Sequence, residues 1–170
     1  MPYTFVDHLH NFAVWTAARA SQRNYTTTKN IKEAIDQTQL KKLIISNRVW
    51  NSNNFDKFHR KCCHSIIRYL TNKNIKTTYG RAAKIVAIYI KTAIVIPNSG
   101  NRTLAKIAHP PIDNILLSNL HKENKNLKLA KEKWTLWKED EYFVILKKLR
   151  TLQLSRFWEI EKYWSPIQKK

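Results

Sequence analysis

The chain has 170 residues, a length that suits one domain, and 43% of them are hydrophobic, which excludes a disordered tail. It carries 31 Lys and Arg against 12 Asp and Glu, a formal net charge of +19. So large an imbalance is self-repelling, and a polyanionic partner explains it most simply. Only two glycines and five prolines are available for the tight turns of a sandwich or barrel, so the composition predicts an all-α protein.

Nothing in the sequence indicates a membrane span or an export signal. No run of about 18 apolar residues occurs, and MPYTFVDHLH lacks the basic-then-apolar order of a signal peptide. The adjacent Cys62 and Cys63 would close only a strained disulfide ring, which favours a reducing cytoplasm. We therefore expect a cytoplasmic protein (nucleoid-associated, or nuclear in a eukaryote) without a cofactor. His59, Cys63 and His64 have no second ligand cluster at zinc-like spacing, so no metal is predicted.

Helical periodicity runs through the first half of the chain. The segment DHLHNFAVWTAARASQR reads as an amphipathic helix, and the threonines before KNIKEAIDQTQL can cap a second one. Apolar residues at helical spacing return in FDKFHRKCCHSIIRYLTNKN. The sequence predicts three helices here.

Three further helical regions follow. Thr77 or Thr78 can cap a helix over about 77–95, which Pro97 and Gly100 end. Prolines frame the entry of a helix over about 110–120, and a tryptophan-rich stretch over about 131–164 predicts two more helices. The pattern predicts six or seven helices in a single compact domain spanning residues 1–170.

The charges are unevenly distributed along the chain. Residues 57–122 contain twelve Lys or Arg and one carboxylate, Asp113. A region stripped of carboxylates suits a phosphate-facing surface, although a generally basic composition can produce the same pattern. Asp113 stands at a proline-framed helix start, where a carboxylate caps the helix; a capping carboxylate stays ionised and oriented, so capping and catalysis are compatible.

The predicted helix after Thr78 carries two lysines in an otherwise apolar run. Lys91 follows Lys84 by seven residues, or two helical turns, so both ammonium groups fall on one face. Lysines in such helices usually extend to solvent. A lysine amine held among apolar groups and other cations is, alternatively, a nucleophile toward carbonyl-like carbons.

The run GRAAKIVA (residues 80–87) followed by PIDNIL (residues 111–116) resembles the helix-hairpin-helix DNA glycosylase superfamily. Asp113 lies 29 residues after Lys84, and a second lysine, Lys91, lies seven residues after Lys84. This spacing is closest to that of the archaeal 8-oxoguanine DNA glycosylase branch. The chain departs from the superfamily pattern at Ala82, which replaces the second hairpin glycine, and in the residues that precede Asp113. The resemblance covers residues 75–120.

This resemblance implies a helix-hairpin-helix-like element and a glycosylase with abasic-site lyase activity on double-stranded DNA. Lys84 would be the nucleophile that forms a Schiff base, and Asp113 the catalytic carboxylate. Lys91 would act on Lys84 electrostatically or replace it as the nucleophile. Four residues are expected to contact DNA: Gly80, Arg81, Lys76 and Arg68.

Aromatic side chains supply candidates for a pocket that receives a flipped base. We name His8, Trp15, Trp134 and Trp137, although tryptophans at helical spacing more often pack in a core. Two other functions fit the charge. One is a non-catalytic helical module that binds DNA or RNA; the other is a helical nuclease of a toxin or phage-defence kind, for which an acidic cluster is missing.

Overall fold

The computed structural model describes residues 2–22, 24–129 and 132–165, and every regular element in these residues is helical. This confirms the all-α prediction. The described α-helices are α1 (Phe5–Ser21), α2 (Thr28–Asp36), α3 (Ser52–Asn72), α4 (Tyr79–Ile90), α5 (Thr103–Ile107), α6 (Asn114–Glu123) and α7 (Glu139–Arg150). A π-helical turn spans Lys91–Val95, and 3₁₀ segments span Leu40–Leu43, Lys125–Leu127, Trp134–Leu136 and Phe157–Tyr163.

The helices begin where the sequence supplies capping side chains. The side chains of Thr27, Asn51, Thr78 and Asp113 accept backbone N–H groups at the starts of α2, α3, α4 and α6. Thr4 forms a reciprocal capping box at the start of α1. Each cap satisfies backbone N–H donors that have no partner within the helix, so the local sequence determines where these helices begin.

Helix α4 lies at the centre of the fold. It packs against α1, α3 and α7 and against the 3₁₀ segment Trp134–Leu136, and nine of its twelve residues are buried. A helix that is apolar on nearly all sides buries itself in this way. Its remaining residues, Arg81, Lys84 and Ile88, are half-buried, as is Lys91 just beyond the helix. These four form one line along α4, which we call the α4 stripe.

A buried polar network joins α3 to α7. Asp56 accepts two hydrogen bonds from Arg150, at 2.7 and 2.9 Å, and one from Nε2 of His109 at 2.8 Å. Burial raises the pKa of Asp56, but these hydrogen bonds outweigh it and hold the pKa well below its ordinary value. Burial lowers the pKa of His59 and of His109, whose ring centroids lie 4.3 Å apart with the ring planes tilted by 47°.

Residues 73–78 connect α3 to α4. The backbone N–H of Ile75 donates to the carbonyl of Leu70 at 2.9 Å, and Asn74 adopts a left-handed conformation with φ of 60°. Asparagine tolerates this conformation, so the turn closes without a glycine. This turn joins α3 to α4, and whether the pair is a helix-hairpin-helix element stays a prediction.

Several boundaries differ from the predictions. The lysine helix changes to a π turn at Lys91, and the prolines stand before α6 rather than inside it, with Asp113 as its cap. The short α5 was not predicted. The tryptophan-rich segment contains one α-helix and two 3₁₀ segments rather than two helices, and its predicted first residue, Lys131, lies outside the described residues. None of the described helices is long and apolar enough to cross a membrane.

Candidate functional site

The centre of the site is a contact between α4 and the start of α6. Nζ of Lys84 lies 3.2 Å from Oδ2 of Asp113, and the two side chains are only 11% and 14% exposed. Lys84 reaches this position because it lies on the α4 stripe, and Asp113 because it caps α6. The structure thus brings together two residues that are far apart in sequence.

Asp113 is fixed by four donors. Its Oδ1 accepts the backbone N–H groups of Ile115 and Leu116, at 3.0 and 3.1 Å. Its Oδ2 accepts the indole N–H of Trp164 at 3.1 Å, in addition to Lys84. These four hydrogen bonds hold the orientation of the carboxylate. Asp113 therefore presents a fixed carboxylate beside the lysine amine.

An aromatic ring covers the other side of Lys84. Nζ of Lys84 lies 4.5 Å from the ring centroid of Trp134, within the range of a cation–π contact. Trp134 is half-buried and belongs to the segment that packs on the start of α4. The amine therefore lies between a carboxylate and an indole face, with a small part open to solvent.

A second lysine–carboxylate pair lies two turns along the stripe. Lys91 forms an ion pair with Glu161, and its Nζ lies 5.5 Å from the ring centroid of Trp164. Burial raises the pKa of Glu161, and the hydrogen bond from Lys91 offsets part of that increase. Because Trp164 donates to Asp113 and contacts Lys91, it connects the two pairs.

Gly80 lies in the first turn of α4 and packs against the segment that contains Trp134, and its DNA contact stays a prediction. Its N–H donates to the carbonyl of Trp137 at 3.1 Å, and the residue is buried. A Cβ added there would lie 1.8 Å from the carbonyl oxygen of Trp134. Gly80 allows the 3₁₀ segment to approach α4 closely, and this positions Trp134 over Lys84.

The other predicted DNA-contacting residues lie apart from one another. Arg81 is on the α4 stripe, with its guanidinium 4.3 Å from the ring centroid of Tyr25. Lys76 is exposed in the connection between α3 and α4, and Arg68 is exposed on α3. The structure permits all three to contact an external partner, and only Arg81 belongs to the stripe.

Three of the four predicted pocket residues are not at the site. His8 and Trp15 are exposed on α1 and make no described contact with Lys84, so their role in a base pocket stays a prediction. Trp15 lines a separate cleft of about 370 Å³ beside Thr28 and Lys32 of α2. Trp137 is buried and donates to Glu132. Trp134 alone contacts Lys84.

Sequence reasoning missed two residues at the site, Glu161 and Trp164. Both come from the C-terminal 3₁₀ region, far in sequence from the residues they contact. Trp164 belongs to a group of late aromatic residues that could be suspected of stacking, but no spacing links it to Asp113. Only the packing of the chain's last described turn against α6 brings these residues to the stripe.

In the described part of the chain, no group of three or more His, Cys, Asp or Glu side chains is placed to hold a metal ion. His59 and Cys63 are buried beside Tyr79, and burial raises the pKa of the Cys63 thiol well above its ordinary value. His64 faces outward and pairs with Glu139 at 2.6 Å.

No protein-family profile matches the chain, and comparisons with curated proteins and with solved structures give no significant match.

Proposed function

We propose that the protein is a DNA glycosylase with abasic-site lyase activity that acts on a damaged or modified base. The observation that carries the proposal is the contact between Lys84 and Asp113: a primary amine held 3.2 Å from a fixed carboxylate, on a chain with a net charge of +19. The pair has the two groups that imine chemistry at a sugar carbon requires, a nucleophile and an anion.

In the proposed reaction the target nucleotide leaves the duplex and its sugar meets the α4 stripe. Lys84 first releases its ammonium proton to solvent. Its amine then attacks C1′ while the bond from C1′ to the base breaks, and the base departs with the bonding electrons and takes up a proton from solvent. Transfer of a proton from the new C–N nitrogen to O4′ opens the sugar ring and gives an imine. Loss of a C2′ proton then expels the 3′ phosphate by β-elimination, which cuts the strand.

Asp113 stabilises the positive charge that develops at C1′ as the base departs. Two backbone N–H groups already orient its carboxylate, so little reorganisation accompanies the reaction. A cleft of about 310 Å³ adjoins the Lys91 end of the stripe and is lined by Ile96, Trp158 and Glu161, among others. This cleft offers an indole face and an ion pair to a displaced base.

The competing function is a binding module without catalysis. In that case Asp113 only caps α6, and Lys84 only neutralises the cap. Both functions predict DNA binding, so affinity alone does not separate them, whereas a covalent intermediate does.

The test is reductive trapping. The protein is incubated with duplex DNA that contains an abasic site, and borohydride is added. Hydride reduces an imine to a stable secondary amine, which gives a covalent adduct of higher mass. We expect an adduct with the native protein, and mass spectrometry of its peptides should locate it on Lys84.

Three variants make the test specific. Lys84→Arg keeps the positive charge beside Asp113 but has no primary amine, so it should give no adduct while binding DNA normally. Lys91→Gln tests the alternative nucleophile and should retain the adduct. Lys106→Gln, an exposed lysine of α5, is the matched control. An undiminished adduct in Lys84→Arg, or no adduct with the native protein, would overturn the proposal.

A further inference from the structure

A second basic feature lies on α3, outside the α4 stripe. A cleft of about 680 Å³ runs along the solvent side of α3 and is bounded by residues 37–39 and by Arg48. Four basic side chains line it, and all four residues are exposed: Arg48, Lys57, Lys61 and Arg68. We call it the basic cleft.

The charges of the basic cleft are not neutralised within the described part of the chain. None of its four basic side chains forms an ion pair with a described carboxylate, and no Asp or Glu lines the cleft. Four carboxylates are paired with other cations, in the contacts Lys32–Asp36, Lys41–Asp7, Arg60–Glu139 and Lys73–Glu33. Glu139 also contacts His64, which lines the cleft, but it leaves the four Lys and Arg side chains without a described carboxylate partner.

The spacing of the cations suits an extended anion. Lys57, Lys61 and Arg68 follow one another at four and seven residues, which places them on one face of α3. At about 1.5 Å per residue they span about 16 Å along the helix axis. One strand of duplex DNA rises about 3.4 Å per nucleotide along the axis of the duplex. The length of the row of cations therefore equals the rise of about four or five nucleotides.

The uncharged groups of the cleft point to phosphate as well. Gln37, Gln39 and Asn54 bring side-chain amides to its walls, and amide donors bind phosphate oxygens in nucleic-acid complexes. Arg48 is oriented by its contact with Trp50, 4.3 Å from the ring centroid. The cleft is concave, so a single strand of a duplex can enter it, whereas a flat lipid surface reaches only its rim.

We propose that the basic cleft binds the phosphodiester backbone of duplex DNA at a position separate from the α4 stripe. The cleft extends the DNA footprint beyond the reacting nucleotide and contributes affinity without reading sequence, since phosphates carry no sequence information. The proposal shares its DNA partner with the proposed function but requires no chemistry at Lys84.

The test measures the salt dependence of binding to an undamaged duplex. Four cleft residues are replaced together, in R48Q/K57Q/K61Q/R68Q, and affinity is followed by fluorescence anisotropy at several salt concentrations. Each phosphate contact contributes a slope of about −0.9 to the plot of log K against log salt, so the slope should shrink by about 3 to 4. The control K106Q/K122Q/K125Q/K147Q removes the same charge from exposed lysines elsewhere.

The control should keep nearly the native slope. Equal slopes for the two quadruple variants would overturn the proposal, because binding would then follow net charge alone. Loss of binding to phosphatidylserine vesicles, with duplex binding unchanged, would overturn it in favour of a membrane surface.

Because all eight positions are exposed, circular dichroism should show native folding in both variants. Lys84→Arg should bind the duplex with native slope whether or not an adduct forms, so the two proposals fail separately.

Discussion

The α4 stripe and the basic cleft use the same residue type in opposite ways. In the stripe, Lys84 and Lys91 are half-buried, and each contacts one carboxylate and one tryptophan. In the cleft, Lys57 and Lys61 are exposed and have no carboxylate partner among the described residues. A half-buried charge costs free energy unless it is paired, whereas an exposed charge remains solvated and available to an external anion.

This difference separates chemistry from affinity. Lys84 lies in a fixed contact, so its replacement should alter the reaction and the stability of the fold. A lysine of the basic cleft is exposed and has no described ion-pair partner, so its replacement should alter binding to a polyanion and leave the fold intact. Substitutions in the stripe and in the cleft should therefore differ in their effects on stability and on binding.

Asp113→Ala should destabilise the protein most, by about 3 kcal/mol. It removes the cap of α6 and leaves Lys84 without its carboxylate in a largely buried site. Chemical denaturation with urea measures the change. Asp113→Asn, which keeps the cap oxygen, should lose less than half as much. Similar losses for the two variants would mean that the cap of α6 contributes nothing and that the whole loss comes from the charge of Asp113.

Gly80→Ala should destabilise by about 1–3 kcal/mol, because a Cβ would lie 1.8 Å from the carbonyl oxygen of Trp134. The 3₁₀ segment must move, and Trp134 with it, so trapping at Lys84 should also weaken. Thermal unfolding and adduct yield provide the two measurements. Ser118→Ala, on the exposed surface of α6, serves as the control and should behave like the native protein. A native adduct yield in a destabilised Gly80→Ala would show that Trp134 does not position the amine.

Stability should fall as the pH is lowered below about 6.5. Burial lowers the pKa values of His10, His59 and His109 in the folded protein, so the unfolded chain takes up protons first. Each fully buried histidine then contributes a slope of up to about 1.4 kcal/mol per pH unit, until the pH reaches its folded-state pKa. Urea denaturation across this range measures the slope. His109→Gln should reduce it, and an unchanged slope would exclude His109 as a contributor.

Lys61→Gln should change the free energy of unfolding by no more than about 0.5 kcal/mol, because this exposed lysine has no described ion-pair partner. Its effect should appear instead in the salt slope of DNA binding, which should shrink by about 0.9. Lys91→Gln is the informative comparison, since it leaves the half-buried Glu161 unpaired and should cost more stability. Equal costs for the two variants would remove the distinction between stripe and cleft.

Local sequence signals predicted two structural features of the stripe and its surroundings. The seven-residue spacing of Lys84 and Lys91 does place them on one face of α4, and the proline-framed Asp113 does begin a helix. The resemblance assigned Gly80 to a hairpin, whereas the structure has Gly80 in the first turn of α4 and the left-handed residue Asn74 in the turn that precedes it. A motif gives the order of residues but not the backbone conformation between them.

Composition determined that this protein is basic, and low glycine content together with 3.6-residue periodicity determined that it is helical. Both helical signals are local, because they depend only on the backbone and on the residues of each helix. Capping residues fixed where several helices begin for the same local reason. Tertiary structure alone decided which cations are neutralised. Glu161 and Trp164 reach the stripe through contacts distant in sequence, and no described carboxylate reaches the Lys and Arg side chains of the basic cleft. An ion pair forms only when side chains of different segments come within a few ångströms of each other. The spacing of residues along a single helix does not determine those distances.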